Sequence, residues 1–96
     1  MEFTRTNPSA RFTVPDKITV RQQLQYFSEA RVPGQPLFER FWLGARPLII
    51  DWQCEIMPDK NIDLETITDP DVTQVIIWAG IQVKTHIDSL ENIAKN

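Results

Sequence analysis

The chain predicts a mostly α fold: a small helical bundle with a long C-terminal helix and a short N-terminal extended arm or hairpin. Two observations carry this expectation. Helix starts are signalled at Thr19, at Gln35-Pro36 and at Asp69-Pro70. After Asp69-Pro70, apolar residues recur at i, i+3, i+4 and i+7 for some twenty residues. With 96 residues the chain fits one domain, and a domain this small buries only about 60–65 % of its unfolded surface. The expected division is an arm or hairpin over 1–17, a helical body over 18–91 and a polar tail over 92–96.

In the arm, Phe12 and Val14 alternate with Thr13, as in a half-buried strand, and Asn7-Pro8 marks a turn. A two-stranded hairpin is marginal alone and must pack on the helices. Thr19-Val20-Arg21-Gln22 fits a capping box, in which hydroxyl and amide each satisfy a free backbone N–H. Val20, Leu24 and Phe27 follow at helical spacing, and Ile18 is placed to staple the start. Val32-Pro33-Gly34 ends this helix, since proline disfavours helical geometry in the residue before it and glycine accepts the turn.

Pro36 suits the first position of a second helix, whose stripe is Phe38, Phe41, Trp42 and Ala45. Pro47 lacks an N–H and clashes with the preceding turn, so a break is expected there. Leu48 to Ile56 fits two periods. Leu48, Ile50, Trp52, Cys54 and Ile56 alternate as in a strand, while Leu48, Ile49, Trp52 and Ile56 make a helical stripe. The helical reading, with Pro47 in its first turn, is preferred. Asp59 to Thr68 is an acidic connection with a helical turn near Leu64-Glu65-Thr66-Ile67.

Asp69 caps the last helix, Pro70 opens it and Asp71 favours its positive end. Val72, Val75, Ile76, Ala79, Val83, Ile87 and Leu90 form its stripe. Ile77, Trp78 and Ile81 widen it past half the circumference, so the helix is expected to be buried on most sides. Ala79-Gly80 permits another helix to approach closely, and Trp78-Ala79-Gly80 is the expected packing centre.

The net charge is −3, divided unevenly: residues 1–50 hold seven basic and four acidic side chains (+3), and 51–96 hold three and nine (−6). An acidic chain without a basic, aromatic-interleaved stripe is not expected to bind nucleic acid. No apolar run approaches the roughly 18 residues that span a membrane. Met1-Glu2-Phe3-Thr4-Arg5 lacks the order of a signal peptide, and a cytoplasmic location is expected.

The lone Cys54 excludes an internal disulfide and suits a buried, inert thiol. His86, also alone, is expected on a helix surface. Asp59-Lys60-Asn61-Ile62-Asp63 begins like a calcium loop, but Leu64 stands where glycine is needed and Pro70 where a bidentate glutamate is needed. No metal, cofactor or catalytic set is therefore expected. Candidate partner-binding residues are Arg31, Arg40 and Arg46 for an acidic partner, Trp42 as a partly exposed aromatic, and Ile81 and Leu90 on the surplus apolar surface of the last helix. Self-association is a further possibility that this surplus allows.

Some 75 residues resemble a family of small tailed-phage proteins, the tail assembly chaperones. The resemblance is carried by Asp16-Lys17-Ile18-Thr19-Val20-Arg21-Gln22-Gln23-Leu24, by Phe41-Trp42 and Trp52, and by Met57-Pro58-Asp59. It continues through Asp69-Pro70, Ile77-Trp78-Ala79-Gly80, Leu90-Glu91-Asn92 and Lys95-Asn96. Pro47 departs from the uninterrupted helix expected of the family. The resemblance implies a mostly helical protein without an active site, which coats the tape-measure protein and recruits tail-tube subunits in the host cytoplasm. The rival expectation is a small acidic phage inhibitor of a host defence protein, with the carboxylates of 51–71 on one exposed face.

Overall fold

The computed structural model describes residues 1–31 and 33–95, and side chains through Leu90. The element order is β1 (Glu2–Arg5), β2 (Ala10–Thr13), α1 (Val20–Ala30), α2 (Leu37–Ala45), β3 (Ile50–Cys54) and α3 (Pro70–Lys95). Short 3-10 turns lie at Arg46–Leu48 and Leu64–Thr66. The strands form one antiparallel sheet in the order β1-β2-β3. The fold is therefore α+β, which corrects the expected helical bundle, although helices dominate.

The correction turns on Leu48 to Ile56. Pro47 ends α2 in a 3-10 turn rather than opening a new helix. The alternating pattern then prevails because β2 offers it a partner, with Ala10 opposite Cys54, Arg11 opposite Gln53 and Thr13 opposite Ile50. A third strand is what an otherwise marginal hairpin needs. The register breaks between Arg11 and Thr13, where Asp51 adopts φ 53°, the left-handed conformation of a bulge residue. The bulge shifts the side-chain phase, so Ile49 before it and Cys54 after it are both buried while Ile50 and Asp51 are exposed.

The hairpin forms as the Asn7-Pro8 turn suggests, with Phe3 opposite Phe12. One sheet face is apolar: Phe12 lies 5.1 Å from Phe3, 5.9 Å from Trp52 and 5.2 Å from Trp78 of α3, centroid to centroid. Arg5 ties the hairpin to α3, its Nη1 donating to the Gln74 carbonyl at 3.1 Å and its guanidinium standing 5.6 Å over Trp78. His86 is buried, not on the surface, with Nε2 3.2 Å from the Pro15 carbonyl oxygen. The chain leaving β2 covers that face of α3, which the helical period alone does not reveal.

The Thr19–Gln22 capping box is present in both directions, at 3.1 and 2.9 Å. The helix it starts faces inward through Tyr26, while Val20 and Leu24, placed on the apolar stripe by their spacing, are exposed. Gly34 takes φ 86° in the turn that follows. On α2, Trp42 and Ala45 are wholly buried, Phe41 is half-buried and Phe38 is exposed. Lys60 closes the end of this region by donating to the Arg46 and Ile49 carbonyls, groups that the end of a helix leaves free.

The Asp69 carboxylate accepts from Asp71 N–H at 2.9 Å and starts α3. This helix has 26 residues, about 39 Å of length, close to the molecule's longest extent of 42 Å. It continues through Lys95, into the stretch expected to be a tail; Asn96 lies outside the described residues. Val75, Ala79, Val83 and Ile87 line its buried side. A Cβ at Gly80 would stand 3.0 Å from Phe41 Cβ and 3.2 Å from both Phe41 C and Trp42 N, so α2 and α3 meet backbone to backbone there. A Cβ at Gly44 would likewise meet the Tyr26 ring at 3.0 Å and its carbonyl oxygen at 3.1 Å. No helix among the described residues is long and apolar enough to cross a membrane.

Gly80→Ala gains about 1 kcal/mol of helix propensity but forces two backbones apart, a change that costs about 1–3 kcal/mol in a packed core. The expected result is a net loss of stability in urea denaturation, and a gain would refute the close contact. Tyr26 is the chain's single tyrosine. Burial, then the nearby Asp88 carboxylate, pushes its hydroxyl pKa up to about 12. The folded state thus holds the proton beyond the ordinary value of about 10, and the resulting stability is present below that pH and lost as pH rises through the folded value. At about pH 11, phenolate absorbance should be weak in the native protein and strong in urea; equal absorbance would show Tyr26 to be solvated.

Candidate docking groove

Between the start of α2, the 3-10 turn and the first turns of α3 lies an open groove of about 400 Å³. The sequence builds each wall locally. Pro36 precedes α2 and sets Phe38 and Glu39 in its first turn. The Asp63 carboxylate accepts from Glu65 N–H at 3.0 Å, and its carbonyl accepts from Thr66 Oγ1 at 2.7 Å. These bonds hold the turn that presents Leu64, with Ile67 directly after it. Asp69 fixes the start of α3, so Val72, Ile76 and Ile77 face the same space at helical spacing.

The lining is apolar, with Val72 and Ile76 buried at its base and Leu64, Ile67 and Ile77 half-exposed along it. Phe38, 45 % exposed, stands at the α2 side. Its charged lining residues are Glu39, Glu65 and Asp69, and no basic side chain is among them. The arrangement can take apolar side chains and favours cationic neighbours on whatever carries them.

None of the six residues singled out from the sequence lines this groove. Arg31 caps the end of α1, exposed, with its guanidinium 4.9 Å over the Phe27 ring. Arg40 is half-buried on α2, its Nε without a hydrogen-bond partner among the described residues, and Arg46 sits in the 3-10 turn beyond it. Among the described residues none of these three arginines forms an ion pair. Trp42 is 0 % exposed rather than partly exposed. Phe41 takes the position against Gly80 and sends Trp42 inward to Trp52, at 5.5 Å. Among the described residues its indole Nε1 finds no acceptor.

Ile81 is 38 % exposed, one turn beyond Ile77, and extends the apolar track. Leu90 is half-buried near the other end of α3. Leu64, Ile67 and Phe38 went unrecognised because two lie in an acidic connection without periodicity and the third sits in an apparently core-facing stripe. The widening of the α3 stripe at Ile77 is the one sequence signal that points here.

The other recesses are more polar, such as that between the hairpin turn (Thr6, Asn7, Ser9) and Glu55, Asp71 and Gln74. Among the described residues no group of three or more His, Cys, Asp or Glu side chains could hold a metal ion. No family model, no curated protein and no solved structure matches the chain.

Two aromatic residues one turn apart on α2 should differ sharply in their cost of truncation. Trp42→Ala empties a fully buried site and is expected to cost about 3–5 kcal/mol, a large share of the roughly 5–15 kcal/mol that holds such a domain folded. Phe38→Ala removes a half-solvated ring and should cost less than about 1 kcal/mol by the same denaturation assay. Equal losses would mean that Phe38 belongs to the core and not to a free groove wall.

Proposed function

We propose that this protein is a non-catalytic binding module, a tail assembly chaperone of a tailed phage acting in the host cytoplasm. Its partners are segments of the tape-measure or tail-tube protein. The single observation that carries the binding reading is the apolar groove with carboxylates at its margin. Such a surface suits an amphipathic segment that lays apolar side chains along Val72, Ile76 and Ile77 and sets lysine or arginine beside Glu39 and Glu65. The exposed Phe38 and Ile81 extend the contact at little cost to the fold, since neither is needed to complete the core. The assignment to phage tail assembly rests on the sequence resemblance.

A second reading, an acidic inhibitor of a host defence protein, draws support from the exposure of Asp59, Asp63 and Glu65 on one connection. The two readings separate by ligand. A chaperone needs Phe38 and Ile77, whereas an inhibitor acting by charge needs the three carboxylates and tolerates loss of Phe38.

Co-expression with a tape-measure fragment is expected to keep that fragment soluble and to co-purify it. Phe38→Asp should weaken the complex at least about tenfold, equivalent to about 1.4 kcal/mol, while leaving the circular dichroism spectrum unchanged. If neither tape-measure nor tail-tube protein co-purifies with the wild-type chain, the chaperone reading fails.

A further inference from the structure

We infer that the groove also accepts α1 of a second copy of this chain, so that copies associate head to tail. The inference rests on the same groove as the proposed function, but its occupant comes from the structure itself. Val20 and Leu24 are 72 % and 64 % exposed, the highest values among the exposed large apolar side chains. They lie one turn apart on α1, next to Arg21 and Gln25. Arg21 is exposed beside them, α1 carries no carboxylate before Glu29, and the Asp16 carboxylate that precedes the helix is paired with the N-terminal ammonium at 2.9 Å. The patch is therefore apolar and basic, whereas the groove is apolar and acidic.

Charge decides which surfaces can pair. Two α1 faces brought together would set Arg21 against Arg21, and two grooves would set Glu65 and Glu39 against their own kind. Like charges placed face to face across an interface are unfavourable. Pairing α1 of one copy with the groove of the next instead places Arg21 near Glu39 and Glu65. It seats Leu24 and Val20 against Ile77 and Phe38. No residue lines both surfaces. The contact is thus heterologous, and each added copy leaves one free α1 face and one free groove. The contact is small, so association should be reversible and dependent on concentration. It should also weaken with salt as its charges are screened.

Sedimentation velocity on the purified full chain, from micromolar to submillimolar concentration, is expected to show average mass rising with concentration and falling with added salt. Leu24→Asp, which breaks only the α1 face, and Phe38→Asp, which breaks only the groove, should each be monomeric alone. Mixed together they should form a one-to-one pair that goes no further, because one intact α1 face and one intact groove remain between them. Arg21→Glu and Glu65→Lys, both at exposed positions, provide a second route. Each should weaken association at least about tenfold, and the mixture of the two should recover it, because the unaltered α1 face of one variant meets the unaltered groove of the other and the two altered surfaces form a reversed pair.

A wild-type chain that stays monomeric throughout, or a mixture that fails to pair although each variant keeps its helical spectrum, would overturn the inference. So would a Leu24→Asp variant that still self-associates. Because only this chain is present, these outcomes are independent of whether a tape-measure fragment binds. Conversely, Leu24→Asp should keep its capture of such a fragment, so loss of self-association and loss of the chaperone reading are separately visible.

Discussion

The contact of Gly80 with the Phe41–Trp42 backbone sets where the other elements can lie. With no side chain at Gly80, α2 comes close enough to α3 for Trp42 to pass beyond it and reach Trp52 on the sheet. Trp42 and Phe12 both touch Trp52, and Phe12 in turn meets Trp78, so one aromatic network joins α2, the sheet and α3. The network accepts a defect, because the Trp42 indole N–H is buried without an acceptor among the described residues. An unsatisfied buried donor of this kind costs about 1–3 kcal/mol. Filling the centre of a thin core with one large side chain evidently outweighs that cost, since full burial of such a residue is worth at least as much.

The same close approach leaves apolar side chains over. Phe41 occupies the seam, so Phe38 one turn earlier lies outside it, and Ile77 and Ile81 on α3 flank rather than fill the contact. On α1, Tyr26 against Gly44 performs the corresponding role and turns Val20 and Leu24 outward. Two glycine contacts thus fix two helix pairs and, as a by-product, set the positions of both unpartnered apolar surfaces. The uneven charge of the chain then distinguishes them, since α1 falls in the basic half and most of the groove in the acidic half.

Features that depend on a few neighbouring residues were legible in the sequence. Thr19 and Gln22 needed only each other, and the start of α3 needed only Asp69 and Pro70. The close approach at Ala79-Gly80 was legible because glycine inside a strong helix has few other uses. Leu48 to Ile56 was not, because its residues satisfy two periods equally and the choice was made by Ala10, Arg11 and Thr13, some forty positions earlier. His86 and Trp42 failed for the same reason: burial at each depends on an element that the helical period does not encode. The groove was the least visible, since Leu64 and Ile67 acquire a shared face only when the Asp63 turn sets them against α3.

Thr13 and Ile50 stand directly opposite each other in the sheet, yet α1 and α2 lie between them in the chain. The helical pair is therefore an excursion that departs from the sheet and returns to the neighbouring strand. Closing it requires a long-range encounter, whose chain-entropy cost exceeds that of contacts within the hairpin or between α1 and α2. Once closed, its ends are held by the sheet rather than by the excursion's own length. Lengthening such a loop costs only about 0.6 kcal/mol for each doubling. The architecture thus separates a geometric frame, hairpin with β3 and α3, from a helical insert whose tip at Gly34 can vary in length at little cost to that frame.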